Sequence, residues 1–284
     1  MAADEQRPGA DEQAARREIV RVGRLMYERG YVVSSDGNVS VRLDDGRVVA
    51  TPTMTSKGRM TEEMLAVTDL EGRPLNDRRA SSELAMHLLV YREREDVRSV
   101  CHAHPPHGSA FAVAGLAIDE PILSEVILTL GCVPLAEYGT PSTAELTEAM
   151  RPLVKHHNAL LMANHGAVAY GADVWQAFDR LETLEHTAKI AILSRALGGA
   201  RKLPPDSVEK LIEIRERAGY LDERGRCQSC GYLEETRVVC GMEGDAGPRQ
   251  PGAKPAPANG SGKISLTREE LIELLSQVAR PAHS

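Results

Sequence analysis

The chain has 284 residues, 42% of them hydrophobic, which is enough for one large folded domain with a sizeable core. Aromatic residues make up only 4% and the formal charge is -7, so a site built on many stacking platforms and a basic nucleic-acid footprint are both excluded. No apolar run approaches the roughly 20 residues of a membrane helix, the start of the chain is polar without a signal-like apolar segment, and the odd count of five Cys points to a reducing, cytoplasmic setting.

In chain order, residues 1–13 are expected to form a disordered arm. Residues 14–29 read as a helix with Ile19, Val22 and Met26 on one side, ended by Gly30. Residues 38–43 and 47–51 read as a hairpin around Asp44-Asp45-Gly46. A helix is predicted over 82–95 and a strand over 97–104, stopped by Pro105 and Pro106. Helices follow over 122–130 and 143–157. Two apolar strands, 159–163 and 167–170, flank Asn164-His165-Gly166, and amphipathic helices close this part at 174–197 and 207–218. Interleaved helices and strands make the class α/β, with a mixed, largely antiparallel sheet covered by helices.

Beyond the main body, residues 222–242 carry Cys227, Cys230 and Cys240. Three Cys fall one ligand short of a four-cysteine metal site, and a second metal, a redox pair and plain thiols stay open. Residues 243–262 read as a flexible linker, because nine of the 20 are Pro or Gly and Ala supplies the rest of the apolar content. Residues 263–284 then predict a short amphipathic helix: Thr267 and Glu270 have capping-box spacing, and Leu271, Leu274, Leu275 and Val278 fall on one face.

His102 and His104 carry the first chemical signal. Two apart on a strand, they project from one face with overlapping reach. His165 stands at the break between two apolar strands, and Glu83 at a helix start. Three imidazoles and a carboxylate suit zinc or a similar divalent ion. Spacing alone leaves ordinary surface or core histidines as an alternative.

The order Gly37-Asn38-Val39-Ser40, Thr51-Pro52-Thr53, Ser81-Ser82-Glu83, His102-Ala103-His104-Pro105 and Asn164-His165-Gly166 resembles the class II aldolase/adducin family, especially its L-fuculose-phosphate aldolase type. The resemblance spans residues 14–221. It implies a three-layer α/β/α sandwich, one Zn2+ per subunit on Glu83, His102, His104 and His165, and a substrate phosphate held by Asn38, Thr53, Ser81 and Ser82. It also implies a homotetramer with the site near a subunit boundary. Glu83 would double as general base. The expected reaction is cleavage of a deoxyketose 1-phosphate, of fuculose- or rhamnulose-1-phosphate type, to dihydroxyacetone phosphate and lactaldehyde. A dehydratase, a 4-epimerase and a non-catalytic adducin-like scaffold are the alternatives.

The chain departs from the family pattern in two places. Met54 stands where a Gly is usual and is expected to tighten the phosphate loop, offset by nearby Lys57. Glu125 stands where the family aldolase has a proton-donating Tyr, and Tyr220 lies near a second such position. Glu125 and Tyr220 are the expected acid/base groups, and His107 is expected to be a surface or pocket-lining residue. The linker and terminal helix resemble the encapsulation peptides of bacterial microcompartment cargo, implying shell proteins as partners; a helix folded back on its own core is the alternative.

Overall fold

A computed structural model describes residues 10–218 of the chain. Tyr220, the cysteines at 227, 230 and 240, the linker and the terminal helix lie outside the described residues.

The first helix, α1, runs Ala10–Glu28, so residues 10–13 are helical rather than part of an arm, and Glu12 is buried against Arg16. Strands β1 (Asn38–Arg42) and β2 (Val48–Ala50) form the expected hairpin, and β3 (Ala66–Thr68) extends it. Helix α2 (Leu84–Glu93) leads into β4 (Ser99–Ala103). Pro105 and Pro106 do more than stop that strand. Pro106 opens a further helix, α3 (Pro106–Val113), at the first helical position, where its missing N–H costs nothing. Helix α4 (Ser124–Thr129), β5 (Leu135–Ala136), α5 (Ala144–Val154), β6 (Ala159–Met162), β7 (Gly166–Gly171), α6 (Val174–Ala196) and α7 (Pro205–Arg217) complete the order.

The seven strands form one sheet in the order β3-β2-β1-β4-β7-β6-β5. Every pairing is antiparallel except β5 with β6. The period-two alternation sorts side chains onto two faces. Val39, Val49, Cys101, Leu161 and Ala169 pack with Ile19, Val22 and Met26 of α1, Phe111 of α3 and Phe178 and Leu181 of α6. Val48, Val100, Leu160, Val168 and Tyr170 pack with Leu88 and Leu89 of α2 and Leu146, Met150 and Val154 of α5. These are the two helical layers of an α/β/α sandwich. Each fully buried aliphatic side chain contributes about 1.5–3 kcal/mol.

Strand register sets the site. Asn38, the first residue of β1, lies opposite His102 of β4, and His102 lies opposite Val168 of β7. The start of β1, the end of β4 and the start of β7 therefore meet at one edge of the central sheet. By alternation His102 points to the α2 side, where Glu83 immediately precedes that helix.

Candidate functional site

Three backbone features bring the histidines together. Asn164 adopts a left-handed conformation, φ 56°, which Asn tolerates, and it turns β6 sharply into β7 so that His165 sits in the bend. A Cβ on Gly166 would come within 2.6 Å of both the Ala103 carbonyl and the His104 ring, so only glycine lets β7 approach this closely. Gly37, at φ 69°, likewise passes against Val32 and the His102 carbonyl.

The resulting cluster is tight. The ring centroids of His102, His104 and His165 are 4.8–5.1 Å apart, and one ligand nitrogen from each lies within 4.8 Å of the others. Glu83 stands beside them, with Oε2 3.3 Å from His102 Nε2 and Oε1 3.1 Å from His165 Nε2. His102 Nδ1 donates to the Ala167 carbonyl at 2.9 Å, which leaves Nε2 with a bare lone pair. Asp36 Oδ2 lies 3.5 Å from His104 Nδ1 and orients that ring in the same sense.

The donor set fits a divalent cation. His102 Nε2, His104 Nε2 and Glu83 Oε1 are buried without a hydrogen-bond partner, and His165 turns its Nε2 to Glu83 Oε1. Each such orphan costs about 1–3 kcal/mol unless something satisfies it. Burial, joined by neighbouring His102 and His165, pushes His104 down to about 4. Burial alone would raise the Glu83 carboxyl, but the facing His102 and His165 outweigh it and hold the carboxyl well below the usual carboxylate range. A neutral imidazole and an ionised carboxylate are the forms that ligate metal.

Around this centre, Asn38 Nδ2 donates to Glu83 Oε2 at 2.9 Å and to Ser81 Oγ at 3.1 Å. The Thr51–Thr53 segment runs beside Ser81: Ser81 N donates to the Thr51 carbonyl at 3.0 Å and Thr53 N to the Arg79 carbonyl at 3.1 Å. Ser82 lies next to this segment and lines an adjoining surface cleft. Asn38, Ser81 and Glu83 are thus joined by hydrogen bonds, with Thr53 and Ser82 in flanking segments.

Met54 departs from expectation. It takes the left-handed conformation of a glycine, φ 54°, and its side chain is 83% exposed, so it points away from the loop rather than tightening it. That backbone costs about 1–2 kcal/mol for a residue with a Cβ. Lys57 braces the loop: its buried Nζ donates to the carbonyls of Ser35 at 2.7 Å and Thr55 at 2.8 Å. Glu125 is exposed in the first turn of α4, where its carboxylate accepts from Ser124 at 3.3 Å. It is not joined to the Glu83 network among the described residues. His107 pairs with Glu185 of α6, whose carboxylate also accepts the His107 and Gly108 amides at 3.1 and 2.8 Å and so caps α3. Asp36, His87 and Glu185 were not singled out from the sequence, since nothing local marks their partners; Asp36 alone had a cue, beside Gly37-Asn38.

A family model for the class II aldolase and adducin N-terminal domain matches residues 17–192. The chain belongs to this family. Within the class II aldolase family, 3-oxo-tetronate 4-phosphate decarboxylase of Pectobacterium atrosepticum is 35% identical over 72% of this chain and 94% of its own length. L-fuculose phosphate aldolase of Methanococcus maripaludis is 31% identical over 61% and 93%. The crystal structure of YgbL from Klebsiella pneumoniae superposes with a TM-score of 0.67 at 32% identity, covering 72% of this chain and all of that one. The expected class II aldolase fold is therefore borne out. The two curated relatives carry two carbon–carbon lyase chemistries, and decarboxylation was not among the sequence-based expectations.

Proposed function

We propose that this chain is a divalent-metal-dependent carbon–carbon lyase that decarboxylates a 3-oxo-tetronate 4-phosphate. The observation that carries the lyase reading is the convergence of ring nitrogens from His102, His104 and His165 beside ionised Glu83. A divalent ion held there, Zn2+ by the donor types, supplies Lewis-acid stabilisation of negative charge developing on a substrate carbonyl oxygen. The substrate choice rests on the 35% identity to the decarboxylase.

The chemistry ties the two candidate reactions together. Decarboxylation breaks the C1–C2 bond of the 3-oxo acid, CO2 leaves, and the electron pair passes through C2 onto the 3-oxo oxygen. Protonation at C2 then gives dihydroxyacetone phosphate. Aldol cleavage of a deoxyketose 1-phosphate leaves the same three-carbon fragment with lactaldehyde as the other product. Aldol cleavage also requires a base for the hydroxyl proton, which decarboxylation does not. Glu83, ionised and adjoining the cluster, would take the hydroxyl proton in aldol cleavage and return it to the carbon, and in decarboxylation would relay a proton from water to C2. Thr53, Ser81 and Ser82 would hold the phosphate through neutral donors, while Asn38, whose NH2 is committed to Glu83 and Ser81, would fix Ser81 in place for it. The second reading, aldol cleavage of a fuculose- or rhamnulose-type 1-phosphate, draws support from the L-fuculose phosphate aldolase relative. There Glu125 and Tyr220 would handle protons, exposed Glu125 serving an adjoining site of a homotetramer.

The test is the Zn2+-loaded protein with each substrate, following dihydroxyacetone phosphate. Its release with CO2 from the 3-oxo acid supports the first reading; its release with lactaldehyde from the ketose supports the second. A metal-loaded protein that makes it from neither class refutes both. Residues 263–284 are further proposed to dock on microcompartment shell proteins, supported by their apolar stripe beyond a Pro/Gly-rich linker. Their deletion should abolish shell association and leave turnover intact; lost turnover would overturn the assignment.

A further inference from the structure

Behind the metal-type cluster a buried chain of hydrogen bonds runs inward from Asn38. His87, in the middle of α2, is 1% exposed, and its Nε2 lies 2.5 Å from Asn38 Oδ1. Its Nδ1 lies 2.7 Å from Ser40 Oγ, which in turn lies 2.6 Å from the Tyr91 hydroxyl. Ser40 and Tyr91 are also buried.

The direction of every bond follows from one charge. Ionised Glu83 only accepts, so the Asn38 group facing it must be the NH2. The amide oxygen of Asn38 then faces His87 and must receive a proton, which fixes His87 as the Nε2–H tautomer. His87 Nδ1 is left bare and accepts from the Ser40 hydroxyl, and Ser40 Oγ accepts from Tyr91. A flipped Asn38 would set its oxygen against the Glu83 carboxylate and its NH2 against the His87 N–H, losing two bonds. Burial pushes the His87 imidazole down to about 3, consistent with a neutral single tautomer.

We propose that His87 is a positioning residue, which through its Nε2–H bond to Asn38 locks the amide that orients Glu83. Asn38 thereby holds Glu83 Oε2 beside His102 Nε2, which sets Oε1 beside His165 Nε2. This rests on the reading of Glu83 as a ligand, and the route is testable apart from turnover. A side chain at position 87 with no hydrogen bond to offer leaves the Asn38 oxygen buried without a donor, so the amide and the Glu83 carboxylate it holds lose their fixed position; glutamine carries both a donor and an acceptor.

The test is Zn2+ affinity of the full chain by chelator competition, for His87→Leu, His87→Gln, Asn38→Ala, Ser40→Ala and the His87→Leu/Asn38→Ala double variant. Groups bonded directly to a metal ligand typically cost about 10–100-fold in affinity when lost, so Asn38→Ala is expected to fall in that range and His87→Leu, one contact further back, to lose about tenfold. His87→Gln should recover most of that. The double variant should be no worse than Asn38→Ala within about twofold, because His87 acts only through Asn38. Ser40→Ala, the smaller truncation, removes the hydroxyl that fixes the His87 tautomer and should lose affinity in the same direction but less. The proposal is overturned if His87→Leu keeps wild-type affinity, if His87→Gln is as impaired as His87→Leu, or if the two losses add in the double variant. If His87→Leu does not fold, wild-type affinity in Ser40→Ala overturns it. A wild type that binds Zn2+ yet turns over neither substrate defeats the proposed reaction and leaves this affinity series intact.

Discussion

Glu185→Ala isolates a contact that couples the far helix to the site. Glu185 of α6 is 6% exposed and accepts three bonds at the start of α3: the His107 amide at 3.1 Å, the Gly108 amide at 2.8 Å and His107 Nδ1 at 2.6 Å. A carboxylate there also meets the positive end of the helix. Alanine leaves two backbone donors without this acceptor, at about 1–3 kcal/mol each. His107 is partly exposed and water reaches its side, which favours the lower half of that range. The expected loss is about 3 kcal/mol, or about 6–12 °C in Tm for a domain of this size. Urea unfolding of the full chain, followed by circular dichroism, measures it. Glu185→Gln keeps one acceptor and should lose about half as much. Because α3 begins two residues after His104, Zn2+ affinity should fall alongside stability in Glu185→Ala. A loss below about 1 kcal/mol would refute the capping argument, since it is less than one unsatisfied donor costs.

Three further outcomes are expected. Glu83→Gln keeps the shape but removes the charge, so it should weaken Zn2+ binding and, at saturating Zn2+, still lower kcat by about 10²–10⁴-fold, as loss of an acid–base group does. Dialysis against a chelator should abolish activity, and added Zn2+ should restore it in wild type but not in His102→Ala; wild-type activity that survives metal removal would contradict the site reading. Burial pushes Lys57 down from 10.5 to about 8. The folded chain then binds fewer protons than the unfolded chain between those values, so stability rises as pH rises through that window. Lys57→Met should flatten the rise, as measured by denaturant titrations at pH 7.5 to 10, roughly the same span; an unchanged slope would count against it.

What could be read from the sequence follows from range. The β1–β2 hairpin, the His102/His104 pair and the turn at Asn164 are encoded within a few residues by alternation and turn chemistry. Strands β3 and β5 escaped notice because three and two residues cannot show a period. Helix α3 was hidden because Pro-Pro reads first as a strand stop, although proline also opens helices. Glu185 meets His107 across 78 positions and His87 meets Asn38 across 49, separations at which no local pattern survives. Motif resemblance recovered the family, whereas the choice of bond broken depends on pocket details that motifs shared by decarboxylases and aldolases do not encode.

His102 lies on the innermost strand of the sheet, paired on both sides by β1 and β7. Such a strand opens only when the whole domain does. Glu83, His104 and His165 instead stand just off the ends of α2, β4 and β6. An ion in this cluster would therefore have one anchor inside the sheet, a second in Glu83 braced by Asn38, and two ligands, His104 and His165, on the segments between elements. Its release and recapture would proceed through the loop ligands on the timescale of loop motion, without unfolding the chain, so metal exchange and global denaturation should be kinetically separate events.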